Sequence, residues 1–252
     1  MSRRVRLDAD MVRRGLVLSR AEAAHAIEAN LVLVNGSIAD KSSRLVDPND
    51  AVVLQGPHAR FVSRGGEKLD AALEAFGIDV TGRRVLDAGS STGGFTDCLL
   101  QRGAAGVVSL DVGHGQLHPK IRDDRRVTVF EKFHVRDVTA DSIGGEVDLV
   151  VADLSFISIV RALPHLIAAC RPGGELVLLV KPQFEAGKAE VDRGSGVIRD
   201  PAVHQRVCDE VAAALVAQHC EVAGWADSPI TGAQGNREFL VHARLGTSGS
   251  AL

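Results

Sequence analysis

Along most of the chain, apolar residues occur in short continuous runs that alternate with segments of helical apolar spacing. Leu69, Ala72, Leu73 and Phe76, for example, follow the i, i+3, i+4 pattern of an amphipathic helix. Because this alternation is typical of parallel sheets covered on both faces, it predicts an α/β fold with a mostly parallel, seven-stranded sheet. The predicted strands are residues 84–87, 107–111, 127–130, 147–153, 175–181, 221–225 and 238–244, and the predicted helices are 67–76, 93–101, 159–169 and 201–219.

The first 54 residues follow a different pattern, with two short helices ahead of a small sheet. Ser19 and Glu22 have the spacing of a capping box, in which each side chain bonds the backbone amide of the other residue. Asn35-Gly36 follows an apolar run and predicts a tight hairpin turn. This segment is therefore predicted to be a small α+β domain, with helices at residues 7–15 and 19–30 and strands at 31–34 and 51–54.

Glycine and proline after the last of these strands indicate a boundary between two domains. A chain of 252 residues, 45% of them hydrophobic, is long enough to bury a sizeable core without disulfide bonds or metals. We expect the small domain at residues 1–56, a linker at 57–65, the larger domain at 66–246 and a flexible tail at 247–252.

Charge is distributed unevenly between the two parts of the chain. Residues 1–68 hold 11 Lys and Arg against 8 Asp and Glu, whereas residues 69–252 hold 18 against 24. The net charge of −3 excludes a uniformly basic protein that coats nucleic acid, but a basic front on an acidic body favours a polyanion-binding module. Ordinary solvated arginines would give the same charge. The candidate RNA-binding residues are Arg3, Arg4, Arg6, Arg14, Arg20, Lys41, Arg44 and Arg64.

Several other classes of protein are disfavoured by the sequence. No apolar run approaches the roughly 20 residues that span a bilayer, and no apolar segment typical of a secretory signal follows the N-terminus. The four cysteines are scattered, which predicts reduced, buried side chains and a cytoplasmic protein. His114 and His118 lack a third metal ligand nearby, so we expect no metal site.

The stretch from residue 85 to 95 predicts a cofactor site, because a strand ends in Asp87, a glycine loop follows and a helix begins. It contains neither a P-loop nor a G-x-G-x-x-G motif. Asp111, at the end of the next strand, is placed to accept hydrogen bonds from a ribose diol and would repel an extra phosphate. S-adenosylmethionine, a cation without phosphates, fits these features. A glycine turn that serves only the fold is the alternative.

Charged residues also lie where the apolar strands end. Lys181 and Asp153 follow two strands at the same edge as Asp87, while Lys68 begins a helix and Glu238 begins a late strand. Together they suit methylation of a ribose hydroxyl, which needs a base, and a desolvated amine beside another cation is such a base. For each residue alone, a surface salt bridge is the alternative, weakest for Lys181 and strongest for Glu238. Residues 187–196 form a glycine-rich loop that either contacts substrate or only connects.

Four motifs carry a resemblance to a known family. They are Phe61-Val-Ser-Arg-Gly-Gly66, Asp87-Ala-Gly-Ser-Ser-Thr-Gly-Gly-Phe95, Asp153-Leu-Ser-Phe-Ile-Ser158 and Val180-Lys-Pro-Gln-Phe-Glu185. With these motifs the chain resembles the TlyA family, in which an S4 RNA-binding module precedes an FtsJ-type ribose methyltransferase. The resemblance implies a Rossmann-like, S-adenosylmethionine-dependent methyltransferase fold behind a small α+β S4 domain.

The resemblance also implies an activity and a set of residues. It implies methylation of a cytidine 2′-hydroxyl in ribosomal RNA of the small and large subunits, within assembled subunits. The family's catalytic tetrad falls on Lys68, Asp153, Lys181 and Glu238. Where the family commonly has Asn, this chain has His134, which would have to replace that contact. The expected cofactor contacts are Asp87, Gly89, Ser90, Thr92, Gly93, Gly94, Phe95, Asp111, Val112, His134 and Asp153.

Three other functions fit the sequence less well than ribose methylation. A ribosome assembly factor with a vestigial methyltransferase body is disfavoured by the intact tetrad. A membrane-active haemolysin would need an apolar span or a strongly amphipathic basic helix, and the sequence has neither. A pseudouridine synthase with an S4 module would need a different catalytic motif and fold.

Overall fold

The computed structural model describes residues 4–17, 19–55 and 60–247, which form two compact units that divide between Val62 and Ser63. In the first unit, two helices precede short antiparallel strands, as the sequence predicts. The pair β1–β4 was not predicted, since two-residue strands carry no periodicity. The elements are β1 (Val5–Arg6), α1 (Leu7–Arg13), α2 (Arg20–Glu28), β2 (Val32–Val34), β3 (Ser37–Ile38), β4 (Leu45–Val46) and β5 (Val52–Leu54).

Local sequence explains the turns of the first unit. The hydroxyl oxygen of Ser19 accepts a hydrogen bond from the Glu22 amide at 3.1 Å, so it caps α2 as predicted. Asn35 and Gly36 both have positive φ, which gives the tight turn that pairs β2 with β3. Side chains from both helices and the strands pack into one core. The largest fully buried members are Leu7, Met11 and Ile27.

The second unit contains the predicted seven-stranded sheet, in the order β11-β12-β10-β9-β6-β7-β8. The neighbours from β10 to β8 are parallel, and β12 pairs antiparallel with β10 and β11. The strands are β6 (Arg84–Ala88), β7 (Gly106–Asp111), β8 (Val127–Glu131), β9 (Val147–Ala152), β10 (Cys170–Val180), β11 (Cys220–Asp227) and β12 (Phe239–Leu245).

Helices follow the strands of this sheet. The chain runs from β6 outward through β7 and β8, then returns to β9 and continues in the opposite direction to β10. Because such crossovers are right-handed, the helices that follow β6 and β9 lie on opposite faces. The helices are α3 (Gly65–Ala75), α4 (Gly94–Gln101), α5 (Pro119–Arg122), α6 (Ile159–Ala169), α7 (Pro182–Glu185), α8 (Lys188–Arg193) and α9 (Pro201–Ala217).

Two local expectations were wrong. The glycine-rich stretch 187–196 was interpreted as a loop, but it contains α8, whose first turn is held by the Gly187 amide donating to the Glu190 carboxylate at 3.1 Å. The helix before residues 171–174 ends at Ala169 as predicted, but the next strand, predicted to begin at Glu175, already begins at Cys170, and its register shifts before Glu175. In α8 a contact within the first turn outweighs the signal of the glycines, and in β10 the pairing with β9 does so.

The cysteines are free thiols, as expected. Cys98, Cys170 and Cys220 are buried, while Cys208 is half-buried. Burial raises the pKa of Cys170 to about 12, so this thiol is inert near neutral pH.

Candidate active site

The site lies where the order of strands reverses, between β6 and β9, which is where open α/β sheets bind ligands. The glycine loop after β6 begins at Gly89, whose φ is +84°. A Cβ there would stand 2.6 Å from the carbonyl oxygen of Asp153, so only glycine allows the two strand ends to meet this closely.

Asp87 lies beneath this loop and is fully buried. Its Oδ2 accepts a hydrogen bond from the Thr96 hydroxyl at 2.6 Å, whereas its buried Oδ1 has no hydrogen-bond donor among the described residues. Burial, together with the nearby carboxylates of Asp153 and Asp111, raises the pKa of Asp87 to about 7. Asp87 lines neither of the two cavities at this edge of the sheet, and its direct contact with a cofactor stays a prediction.

A cavity of about 520 Å³ opens beside the loop. The carboxylate of Asp111 accepts hydrogen bonds from the Ser91 amide at 2.9 Å and from the Gly113 amide at 2.6 Å, which fix its orientation. His134 accepts from the Arg136 amide at 3.2 Å and so caps a short 3₁₀ turn. Ser91 and five of the predicted cofactor residues line this cavity; the five are Gly89, Asp111, Val112, His134 and Asp153.

An adjoining cavity of about 570 Å³ shares the wall formed by Gly89, Asp153 and Phe156. All four predicted catalytic residues line it, as do Ser90, Thr92, Gly94, Phe95 and Arg64. Gly93 lines neither cavity. A Cβ on Gly93 would approach a Leu117 methyl group at 2.8 Å, and its φ is +95°, so this glycine permits packing and the start of α4.

Four different elements bring the catalytic candidates together. Lys68 lies on α3 and its Nζ is 2.5 Å from a carboxylate oxygen of Glu238, the residue before β12. Lys181 follows β10 and forms an ion pair with Asp153, which follows β9. The Lys181 ammonium also donates to the Ser155 hydroxyl at 3.0 Å.

Burial separates these pairs from ordinary surface salt bridges. Lys68, Lys181 and Glu238 are only 8%, 7% and 4% exposed. Removing paired charges from water costs free energy, whereas exposed pairs stay hydrated. Such a cost is often found at functional sites. Glu238, for which a surface salt bridge was the strongest alternative, is the most buried of the three.

Several residues that line the second cavity were not predicted from the sequence, among them Ser155, Phe156 and the loop 230–234. Phe156 is 92% exposed and has a left-handed φ of +65°, a strained conformation for a non-glycine residue. Its ring lies 5.4 Å from that of Phe184. The signal was present in the Asp153–Ser158 motif, but an exposed aromatic ring can only be recognised once the loop is folded.

The predicted RNA-binding residues of the first unit differ in how the fold holds them. Arg14 is held internally, by Asp10 at 2.5 Å and by the carbonyl oxygens of Asp47, Pro48 and Asp50, so it stabilises the fold rather than presenting a free cation. Arg6 and Arg20 pair with Asp8 but stay about half exposed. Arg4, Lys41 and Arg44 make no side-chain hydrogen bond within the described part of the chain. Arg3 lies outside the described residues.

Groups of metal ligands and membrane-spanning helices are both absent from residues 4–17, 19–55 and 60–247. These residues contain no group of three or more His, Cys, Asp or Glu side chains arranged to hold a metal ion. None of their helices is long and apolar enough to cross a membrane.

The fold and the site together define a class of protein. An open, mostly parallel sheet with a glycine loop after its first strand and an acid after its second is the architecture of Rossmann-like methyltransferases. A solved S-adenosylmethionine-dependent methyltransferase from Listeria monocytogenes shares this fold at a TM-score of 0.53, with 15% identity, over 73% of this chain and 99% of that chain.

Comparison with known proteins narrows the class. The FtsJ-like methyltransferase family model matches residues 61–245, and the S4 domain model matches residues 5–52. A Mycobacterium tuberculosis protein described as 16S/23S rRNA (cytidine-2′-O)-methyltransferase TlyA is 47% identical over 98% of this chain and 92% of its own length. A solved Streptococcus thermophilus structure described as a candidate hemolysin has a TM-score of 0.77 and 38% identity over 98% of this chain and 90% of that chain. The chain therefore belongs to the FtsJ-like methyltransferases, and among them to the TlyA family.

Proposed function

We propose that this protein transfers the methyl group of S-adenosylmethionine to the 2′-hydroxyl of a cytidine in ribosomal RNA. The observation that carries the proposal is the convergence, in one cavity beside the glycine loop, of two lysine–carboxylate pairs whose lysines are both buried. A ribose hydroxyl is a poor nucleophile, so a site for its methylation needs buried groups that can take a proton. The substrate class is carried over from the family relatives.

The cavity beside the glycine loop fits S-adenosylmethionine in its chemistry. Asp111 has both carboxylate oxygens oriented by backbone amides, which leaves further lone pairs for the two hydroxyls of a ribose. The Gly89–Thr92 loop would hold the amino acid end, and Val112 and His134 would flank the base. Asp87, with one buried oxygen that lacks a donor, supplies negative charge beneath a cationic ligand. When bound, S-adenosylmethionine supplies an electrophilic methyl group.

Lys181 is proposed as the base. In its neutral form, Nζ takes the proton of the 2′-hydroxyl while the oxygen forms its bond to the methyl carbon and the bond from that carbon to sulfur breaks. The resulting ammonium is stabilised by Asp153 and oriented by Ser155, which contact it already. The Lys68–Glu238 pair, which lines the same cavity, would hold the hydroxyl in line.

RNA binding is assigned to the first unit and to the mouth of the cavity. Arg4, Lys41 and Arg44 offer cations for backbone phosphates in an S4 domain. The exposed ring of Phe156 offers a flat apolar surface on which an unstacked base can lie. Assembled ribosomal subunits are the proposed substrate, since the cations of a small domain recognise shape and backbone more readily than sequence.

The test is to map 2′-O-methyl groups in ribosomal RNA from a strain that lacks the gene and from the same strain complemented with wild type, Lys181→Ala or Lys120→Ala. Wild type and Lys120→Ala should restore a methyl group on cytidine, because Lys120 lies on α5 outside both cavities. Lys181→Ala should restore none and still bind S-adenosylmethionine. Full methylation by Lys181→Ala would overturn the role of Lys181, and no cytidine methylation by wild type would overturn the activity.

A further inference from the structure

The segments that carry Asp153 and Lys181 meet at a second point, away from the ion pair. Glu185, at the end of α7, accepts a hydrogen bond from the Ser158 hydroxyl at 2.6 Å and another from the Ile159 amide at 2.7 Å. Each of its oxygens therefore bonds to the start of α6. The side chain of Ser158, the N-cap residue of α6, makes no capping bond of its own.

Glu185 thus caps a helix from another element. The first amides of a helix lack partners within the helix, and a carboxylate satisfies them and complements the helix dipole. Burial raises the pKa of Glu185, and the hydrogen bonds from Ser158 and the α6 amides lower it. The Glu185 side chain is half-buried, and removing a carboxylate from water is costly unless hydrogen bonds satisfy it, as those from Ser158 and Ile159 do here.

The hydrogen bonds of Glu185 also close a ring of contacts between the two segments. Lys181 and Glu185 are four residues apart, and Asp153 and Ser158 are five residues apart on the facing segment. The Lys181–Asp153 ion pair closes one end of the ring and the Glu185 bonds close the other. Between them, the rings of Phe156 and Phe184 lie 5.4 Å apart.

We propose that Glu185 is a positioning residue, which holds the Asp153 loop against the Lys181 segment so that the two catalytic side chains stay in contact. Glu185 itself does not line either cavity, so it acts through the residues it bonds. The catalytic part of this inference rests on the proposed function. The geometric part, the contact between Lys181 and Asp153, can be measured without it.

The kinetic test compares Glu185→Ala and Glu185→Gln with wild type, using Glu74→Ala as the control. Glu74 is exposed on α3 in the same unit, so its variant removes the same charge without touching the ring. We expect Glu185→Ala to lower kcat at least about tenfold, equivalent to about 1.4 kcal/mol, with KM for RNA and Kd for S-adenosylmethionine within about twofold. Glu185→Gln, which can still accept one bond, should recover part of kcat.

The direct test observes the lysines themselves. The chain has only six lysines, so carbon-13 labelling next to each amine gives few NMR signals, and a Lys181→Arg variant assigns that of Lys181. Lys181 is surrounded by Asp153, Ser155 and Phe184. Glu185→Ala should move the Lys181 signal more than the other five, and Glu74→Ala should move none of the cavity lysines. If Glu185→Ala does not fold, Glu185→Gln and Ser158→Ala give the same comparison.

The outcomes separate the two proposals. An unmoved Lys181 signal in a folded Glu185 variant, or an unchanged kcat, would overturn the positioning role. A loss of cofactor binding and thermal stability in parallel with kcat would make Glu185 only a structural cap, and also overturns it. If wild type methylates no cytidine, the proposed function fails, while the NMR comparison still decides whether Glu185 holds the pair together.

Discussion

Two of the buried aspartates, one in each unit of the molecule, are handled in opposite ways. Asp8 in the first unit is 4% exposed, and hydrogen bonds from Arg6, Arg20 and the Ala9 amide hold its pKa well below the ordinary range. Asp87 in the second unit is fully buried and accepts hydrogen bonds from Thr96, but its Oδ1 has no donor among the described residues, and burial raises its pKa to about 7. The same side chain is thus satisfied in one unit and left short of partners in the other.

The two environments show that one aspartate stabilises the fold, whereas the other lies where a ligand is proposed to bind. Arginine partners make Asp8 part of the fold, because every lone pair that burial removes from water is given a donor. Asp87 faces other carboxylates instead, at the sheet edge where a cationic ligand is proposed to bind. The free-energy cost of such an unsatisfied carboxylate is tolerated where binding of a cationic ligand offsets it.

The largest expected effect is on the pH dependence of the second unit. Because the pKa of Asp87 rises from about 3.9 in the unfolded chain to about 7, its favourable contribution is complete below about pH 4 and lost as the pH rises to 7. Asp87→Asn should abolish this loss, so that the variant gains up to about 4 kcal/mol over wild type between pH 4 and pH 8. Denaturant unfolding without cofactor at several pH values measures this difference. A difference independent of pH would mean that Asp87 is ionised in the folded protein at all of them.

A smaller effect of opposite sign is expected for Asp8. Its pKa is lowered on folding, so its contribution is present above about pH 4 and is lost as the solution is acidified. Asp8→Asn should cost about 1–2 kcal/mol at neutral pH, since Arg6 and Arg20 are about half exposed, and progressively less towards pH 2. Hydrogen exchange of amides in residues 5–54 reports it, with exposed Asp40→Asn as the control. An undiminished cost at pH 2 would contradict the ion pairs.

The smallest effect compares the two ways of capping a helix. Ser19 caps its own helix, α2, whereas α6 is capped by Glu185 from another element. Ser19→Ala should destabilise α2 by about 1 kcal/mol and leave kcat unchanged, because its bond is local. Hydrogen exchange in α2 and a methylation assay check both halves, with exposed Ser43→Ala as the control. A drop in kcat comparable to that of the Glu185 variants would erase the contrast.

Much of the fold and the identity of the site residues could be predicted from the sequence, because they depend on local patterns. Continuous apolar runs predicted the strands of the sheet, and Asn35-Gly36 predicted its hairpin in the first unit. Charged residues after apolar strands marked Asp153 and Lys181 as candidates. For Asp87, the sequence places an acid at the end of a strand but does not say how deeply the folded chain buries it, and its contact with a cofactor stays a prediction.

The order of elements and the family motifs could be read from the sequence alone. The chain has only six lysines, which draws attention to Lys68 and Lys181. Only the tertiary structure decided which charges pair. Lys68 and Glu238 are separated by 170 residues and Lys181 and Asp153 by 28, and no periodicity records such contacts. The structure also decided how deeply the pairs are buried and that Glu185 joins their supporting segments. The physical reason is that helix and strand patterns report on neighbours along the chain, whereas desolvation and pairing depend on what the folded sheet brings to one edge.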